Sequence, residues 1–174
     1  NLELVPGSEL DKARDYFLFS FNMRGMSFVD VAFLRNRDIV NGRVLYTRKK
    51  TGQKFSIKLT DEAKAIIDKY HYNDEPEGFV FQIIDRKGSE YLDYRNALRL
   101  TNKKLKTIGE DAGCSIKIST YVSRHSWATI AKRSGIPTAV ISEGMGHNSE
   151  KTTQIYLDSF ENEVIDDANE LITG

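Results

Sequence analysis

Three side chains suited to handling phosphate fall in one stretch of this 174-residue chain, from Thr120 to Tyr156: Arg124, His147 and Tyr156. A guanidinium forks onto two phosphate oxygens, and an imidazole adds another donor. A phenol is ionised in only about one molecule in a thousand at neutral pH, so its phenolate costs roughly 4 kcal/mol that the surroundings must supply. Arg124 lies early in an apolar-periodic segment whose expected buried side is marked by Trp127, Ile130 and Ala131, so its guanidinium faces a pocket. Gly144, Gly146 and Asn148 interrupt the chain at His147, and Ser149 caps a short helix that carries Tyr156 on its far turn, back towards the arginine.

The elements that must position these residues can be read from the amino terminus. Ser8 with Asp11 reads as a capping box, opening a helix with Leu10, Ala13, Phe17, Leu18 and Phe21 at helical spacing that delivers Arg24. Phe28, Val31, Ala32 and Leu34 bury a second helix, and Asp38-Ile39 begins a strand. Asn41-Gly42 is a two-residue hairpin signal; Arg43 to Arg48 is a strand with Val44 and Tyr46 on one face. Lys49-Lys50-Thr51-Gly52 makes the next turn, and Lys54 to Leu59 alternates with Phe55, Ile57 and Leu59 inward. Thr60 caps a helix to about Tyr70, with Ala63, Ile66, Ile67 and Tyr70 apolar; His71 follows its end, where a cation complements the helix dipole. An acidic loop, Asn73 to Gly78, leads to a short buried segment at Phe79-Val80-Phe81. Residues 89–111 are helical, with Tyr94, Leu98, Leu105 and Ile108 as core candidates. Gly135 suits the end of the Arg124 helix, and Pro137 the first turn of the next, which ends near Gly144. The expected fold class is α+β, mostly α-helical with a small antiparallel three-stranded sheet.

Formal net charge is zero, which speaks against a nucleic-acid partner until its distribution is read. From Glu143 onward there are eight acids and one base, so residues 1–142 carry 24 bases against 17 acids. Ile39 to Thr60, Arg95 to Gly109 and Ala112 to Ser142 hold no acid at all. Three such windows favour a surface that tracks phosphates, with Arg95, Arg99, Lys103, Lys104 and Lys106 able to meet them; a merely solvated face is an equal reading of those five. The acidic end, with Phe160, Val164, Ile165, Ala168, Leu171 and Ile172 at helical spacing, is expected to dock on protein instead. Cys114 has no disulfide partner and is expected to fill space, which suits a reducing cytoplasm. No stretch is apolar enough to span a membrane, and Asn1 suggests a piece of a longer chain.

The motifs T-Y-V-S-R-H-S-W-A-T, G-M-G-H-N-S-E-K-T-T-Q-I-Y and F-N-M-R-G-M-S-F-V-D-V-A-F-L-R-N-R-D-I together resemble the two signature boxes of the tyrosine recombinases, the phage-integrase family of site-specific DNA recombinases. The resemblance implies a catalytic domain of the DNA breaking-rejoining fold over residues 1–174, taken from a longer integrase whose core-binding domain has no counterpart here, with residues 159–174 a tail that contacts a neighbouring protomer. It makes Tyr156 the nucleophile, attacking the scissile phosphorus to leave a 3′-phosphotyrosyl link and a free 5′ hydroxyl. Arg24 and Arg124 would bind the phosphate and stabilise its pentavalent transition state more than its ground state, with His147 a third donor. Lys50, just before Thr-Gly at the hairpin turn, would protonate the leaving 5′ oxygen, Lys49 being its rival. Energy is conserved in the covalent link and the arginines neutralise charge, so neither cofactor nor metal is expected.

Two positions depart from the family's pattern. Tyr121 stands where the box has histidine; a phenol can donate a hydrogen bond but is a poor base, so Tyr121 is expected as a neutral donor in the pocket, with nucleophile as the alternative. Ser27 stands where an acid is usual, and Asp30, one turn further on, is not assigned that role. His125 is expected to point away from the pocket as a structural residue. Arg48, Lys49, Lys54, Arg95, Arg99 and Lys103 are the expected contacts to the backbone of double-stranded DNA, and a homotetramer on DNA with exchange of the terminal helix is the expected assembly of the full-length protein. A bacterial or phage-encoded protein of the cytoplasm, nucleoid-associated, is the implied setting. A type IB topoisomerase-like nicking and closing enzyme and a degenerate DNA-binding module are the competing readings.

Overall fold

The structure, a computed structural model, describes residues 2–70, 75–147 and 149–157. His71, Asn148 and the tail at 159–174 lie outside these residues. Two units divide the chain, Asn1–Trp127 and Ala128–Gly174.

In the first unit, α1 (Glu9–Asn22) starts where the Ser8 hydroxyl accepts the Asp11 N–H at 3.2 Å. The box is not reciprocal, because the Asp11 carboxylate reaches past Ser8 to the Gly7 N–H at 2.7 Å. The buried side of α1 also differs from the apolar count: Asp11, Asp15 and Ser20 are buried beside Ala13 and Phe19, while Leu18 is exposed. Those carboxylates are held by partners. Lys69 Nζ lies 2.6 Å from Asp11 and 2.5 Å from Asp15, Arg14 is 2.5 Å from Asp11, and the Tyr70 hydroxyl donates to Asp15 at 3.0 Å. Without such pairing, burying two carboxylates would be prohibitive.

A short α2 (Phe28–Ala32) and a 3-10 turn (Asn36–Asp38) lead into β1 (Ile39–Val40), β2 (Arg43–Thr47) and β3 (Lys54–Lys58), an antiparallel sheet in that order. Val40 pairs with Arg43 across Asn41-Gly42, whose φ angles of 50° and 71° are those a tight two-residue hairpin needs. Thr60 caps α3 (Asp61–Tyr70), its hydroxyl accepting the Ala63 N–H at 3.1 Å. The core gathers Phe19 and Met23 of α1, Val31 of α2, Val44 and Ile57 of the sheet, Ile67 of α3, and Phe81. Val80 N–H donates to Leu34 O at 2.9 Å, tying the expected buried segment to the end of α2. The long α4 (Glu90–Asp111) packs on α1; Leu105 is fully buried, whereas Tyr94, Leu98 and Ile108 are half-buried. Cys114 is exposed just beyond α4, so it does not fill space.

α5 (Thr120–Arg133) crosses from one unit into the next. Its buried residues are Ser123, Arg124 and Ala128, and the expected marker Ile130 is instead 51% exposed. In the second unit, Gly135 at φ 75° ends α5, and Pro137 is the N-cap of α6 (Thr138–Met145) rather than part of its first turn. α6 runs through Gly144 and is stopped by Gly146 at φ 65°, with His147 N–H donating to Ser142 O at 3.0 Å. α7 (Glu150–Tyr156) is capped by Ser149 as its spacing foretold, the hydroxyl accepting the Lys151 N–H at 3.1 Å. Ile141, Met145, Thr153 and Leu157 are buried. Among the described residues no helix is long and apolar enough to cross a membrane.

Candidate active site

After α1 the chain reverses through two consecutive residues in the left-handed region, Arg24 at φ 58° and Gly25 at φ 70°. Gly25 N–H and Met26 N–H both donate to Ser20 O, at 2.9 and 3.1 Å. An arginine held there carries roughly 1–2 kcal/mol of backbone strain, which persists only where the surroundings dictate it. They do so here, because α5 lies directly on the turn. A Cβ at Gly25 would stand 2.6 Å from the Arg124 Cα and 2.9 Å from its Cβ. Arg124 Nη1 donates to Gly25 O at 2.9 Å, and Arg124 is only 5% exposed. The buried hydroxyls of Ser20 and Ser123 meet at 2.6 Å, with Met26 O and Thr120 O as further acceptors at 2.6 and 2.9 Å. The structure thus brings Arg24 and Arg124, 100 positions apart in sequence, onto one turn.

Several charges converge on the sheet beside that turn. Burial pushes the Tyr46 phenol pKa up, the Asp30 carboxylate adds to the shift, and the guanidiniums of Arg124, Arg48 and Arg24 oppose it. Asp30, passed over in favour of no acid at all by the sequence, is 4% exposed and accepts the Ser27 hydroxyl at 2.5 Å. Lys50 is exposed at the β2–β3 turn, where Arg48 N–H donates to Gln53 O and Gly52 N–H to Arg48 O, both at 2.8 Å. Its rival Lys49 holds its ammonium 4.0 Å from the centre of the Phe33 ring.

Of the six expected DNA-backbone contacts, Arg48 differs from the rest, being only 7% exposed. Lys49, Lys54, Arg95, Arg99 and Lys103 are exposed. Lys104 pairs with Glu9 and Lys106 lies 3.5 Å from Glu110, so these two serve ion pairs within the fold.

Tyr121, 53% exposed, sets its ring edge-on to His125 with centroids 4.6 Å apart. One turn apart on α5, the two rings lie side by side on one face. Burial, and then the Arg124 charge, hold the His125 imidazole below its usual pKa of 6.5, which keeps it neutral at neutral pH.

His147 and Tyr156 belong to the second unit. The Thr153 hydroxyl, fully buried, lies 2.8 Å from His147 Nδ1 and so fixes the ring's orientation. Tyr156 is the last residue of α7. Thr153 and Gly25 were not singled out from the sequence, and Asp30 was considered there only as the family's acid and not assigned that role. Thr153 had a signal, standing three residues before the tyrosine in T-T-Q-I-Y; Gly25 and Asp30 depend on contacts made at a distance. Among the described residues no group of three His, Cys, Asp or Glu side chains converges to hold a metal ion.

The chain is similar to known proteins. Tyrosine recombinase XerA of Pyrococcus furiosus is 38% identical over 161 residues, covering 89% of this chain and 52% of that protein. Tyrosine recombinase XerA of Saccharolobus solfataricus is 28% identical over 159 residues, covering 89% and 49%. The chain therefore spans about half the length of these relatives. The fold is that of the crystal structure of a XerA recombinase, with a TM-score of 0.61 at 19% identity over 99% of this chain and 67% of that one. Residues 9–163 match the model of the phage integrase family, and to that family the chain belongs.

Proposed function

We propose that this chain is the catalytic domain of a longer tyrosine recombinase that performs site-specific recombination of double-stranded DNA for a mobile element. The observation that carries the reading is the strained Arg24–Gly25 turn with Arg124 packed on it, which preorganises two guanidiniums that a lone structural arginine would not require. Preorganised donors favour the pentavalent transition state because they need no rearrangement as charge develops. Tyr156 Oη forms a bond to phosphorus as the bond from phosphorus to the 5′ oxygen breaks; Lys50 gives that oxygen its proton, and the phenol's proton passes to solvent. His147, oriented by Thr153, donates to a non-bridging oxygen. Tyr121 acts as a neutral donor. The recombining assembly is a homotetramer in which residues 159–174 dock on a neighbouring protomer.

A nicked suicide DNA substrate tests this on a denaturing gel. The wild-type protein is expected to give a covalent protein–DNA band and Tyr156→Phe none while still binding DNA. Losing a preorganised donor costs about 3–4 kcal/mol in such sites, so Arg24→Ala and Arg124→Ala should cleave at least about a hundredfold more slowly with much smaller losses in binding. A Tyr156→Phe protein that still forms the adduct, or arginine variants that lose binding and cleavage equally, would overturn the reading.

A further inference from the structure

We infer that Asp30, supported by Ser27, is a positioning residue that docks the β2–β3 hairpin and thereby presents Lys50, rather than Lys49, to the leaving oxygen. The inference rests on the proposed role of Lys50 as general acid.

The two oxygens of this buried carboxylate are divided between two tasks. Oδ1 accepts the Lys49 backbone N–H at 2.9 Å, across 19 positions in sequence, and Oδ2 accepts the Ser27 hydroxyl at 2.5 Å. A carboxylate that served only to balance nearby arginines would not need a main-chain donor from the hairpin. This one fixes the backbone of the first tip residue to α2. Lys49 is held a second time, since its ammonium lies over the ring of Phe33, which directly follows α2. Beyond it the tip is closed by the paired hydrogen bonds of Arg48 with Gln53 and Gly52, the latter at φ 70°. Both tip lysines are exposed, but Lys49 is engaged through main chain and side chain, and those contacts leave Lys50 as the one they do not hold. The segment that carries Arg24 therefore also sets the hairpin, so the phosphate clamp and the proton donor share one rigid base.

The test exploits the leaving group. In the proposed step Lys50 gives its proton to the 5′ oxygen and is left neutral; a substrate with sulfur at the bridging 5′ position expels a thiolate, whose conjugate acid is strong enough to leave without a proton donor. Single-turnover cleavage in the full chain is measured on oxygen and sulfur substrates. Lys50→Ala is expected to lose at least about a hundredfold on oxygen and to recover most of it on sulfur. Asp30→Ala should show the same pattern, with a loss of about tenfold or more on oxygen that sulfur restores, and Ser27→Ala a weaker version of it. Asp30→Asn keeps an acceptor for the Lys49 N–H and should lose less than Asp30→Ala. Lys49→Ala should stand in the same ratio to wild type on both substrates. Equal slowing of Asp30→Ala and Ser27→Ala on both substrates, with Lys50→Ala rescued, makes Asp30 merely structural and overturns the inference; so does a sulfur rescue of Lys49→Ala. If Lys50→Ala itself is not rescued, the general-acid role falls and the inference falls with it.

Discussion

Arg24 and Gly25 occupy the same backbone region for opposite reasons. Gly25 is there because only a residue without Cβ fits against Arg124, and Arg24 is there although its Cβ disfavours it. The strain sits on the residue proposed to bind phosphate, a place where stability and activity are expected to trade. Arg24→Gly should raise stability to urea by about 1 kcal/mol while abolishing covalent adduct formation. Gly25→Ala should instead destabilise, losing about 1–2 kcal/mol from the backbone alone, with more as α5 is pushed away, and should slow cleavage because Arg124 moves with the helix. Urea unfolding midpoints of both variants, read beside the adduct assay, check the pair. An Arg24→Gly protein less stable than wild type would show that its side chain supports the fold instead.

The α1–α3 interface is where acid should act first. Burial alone would raise the Asp11 carboxyl, but hydrogen bonds from Lys69 and the Gly7 N–H, with the charges of Lys69 and Arg14, outweigh it and hold Asp11 below 3.8. A carboxylate lowered on folding contributes stability that is complete above its unfolded pKa and is lost as pH falls through the folded one. The stability that Asp11 contributes should therefore stay level down to about pH 5 and fall below the ordinary carboxylate range near 4. Lys69→Met leaves two nearly buried carboxylates with fewer partners and should cost on the order of 2 kcal/mol at pH 7, the difference from wild type shrinking by pH 3 as Asp11 protonates. A gap that stays constant from pH 7 to 3 would rule out this origin. The same interface shows what sequence could and could not reveal. Asn41-Gly42, the Phe28-to-Leu34 spacing and Ser149 announced themselves, since each obeys a local rule of turn, period or cap. Asp11, Asp15 and Arg48 inside, and Ile130 and Cys114 outside, were not legible, because burial there is decided by partners that lie far off in the chain. At the site, residue types and motif spacing pointed to Arg24 and Arg124, but not to the glycine that lets them share a turn.

At the scale of the whole molecule, neutrality hides two oppositely charged segments of unequal length. Residues 1–142 carry the excess of bases and the remainder the excess of acids, so a probe of net charge would miss an affinity for DNA that a local surface can provide. Arg95, Arg99 and Lys103 are exposed at four-residue intervals along α4, which places them in one stripe with successive members about 6 Å apart along the axis. Lys104 sits beside them in sequence but is held by Glu9. If the stripe meets phosphates, binding should weaken linearly in log–log form as salt rises from about 50 to 200 mM, and each substitution to Gln in the stripe should lower that slope by about 0.9, one released counterion per contact. Lys104→Gln should leave the slope alone, because its charge is already neutralised within the fold. Fluorescence anisotropy with a duplex of fixed sequence measures each slope. Weakening by the stripe variants with no change of slope would mean that they perturb α4 rather than release ions. An equal effect of Lys104→Gln would mean that only the total charge counts.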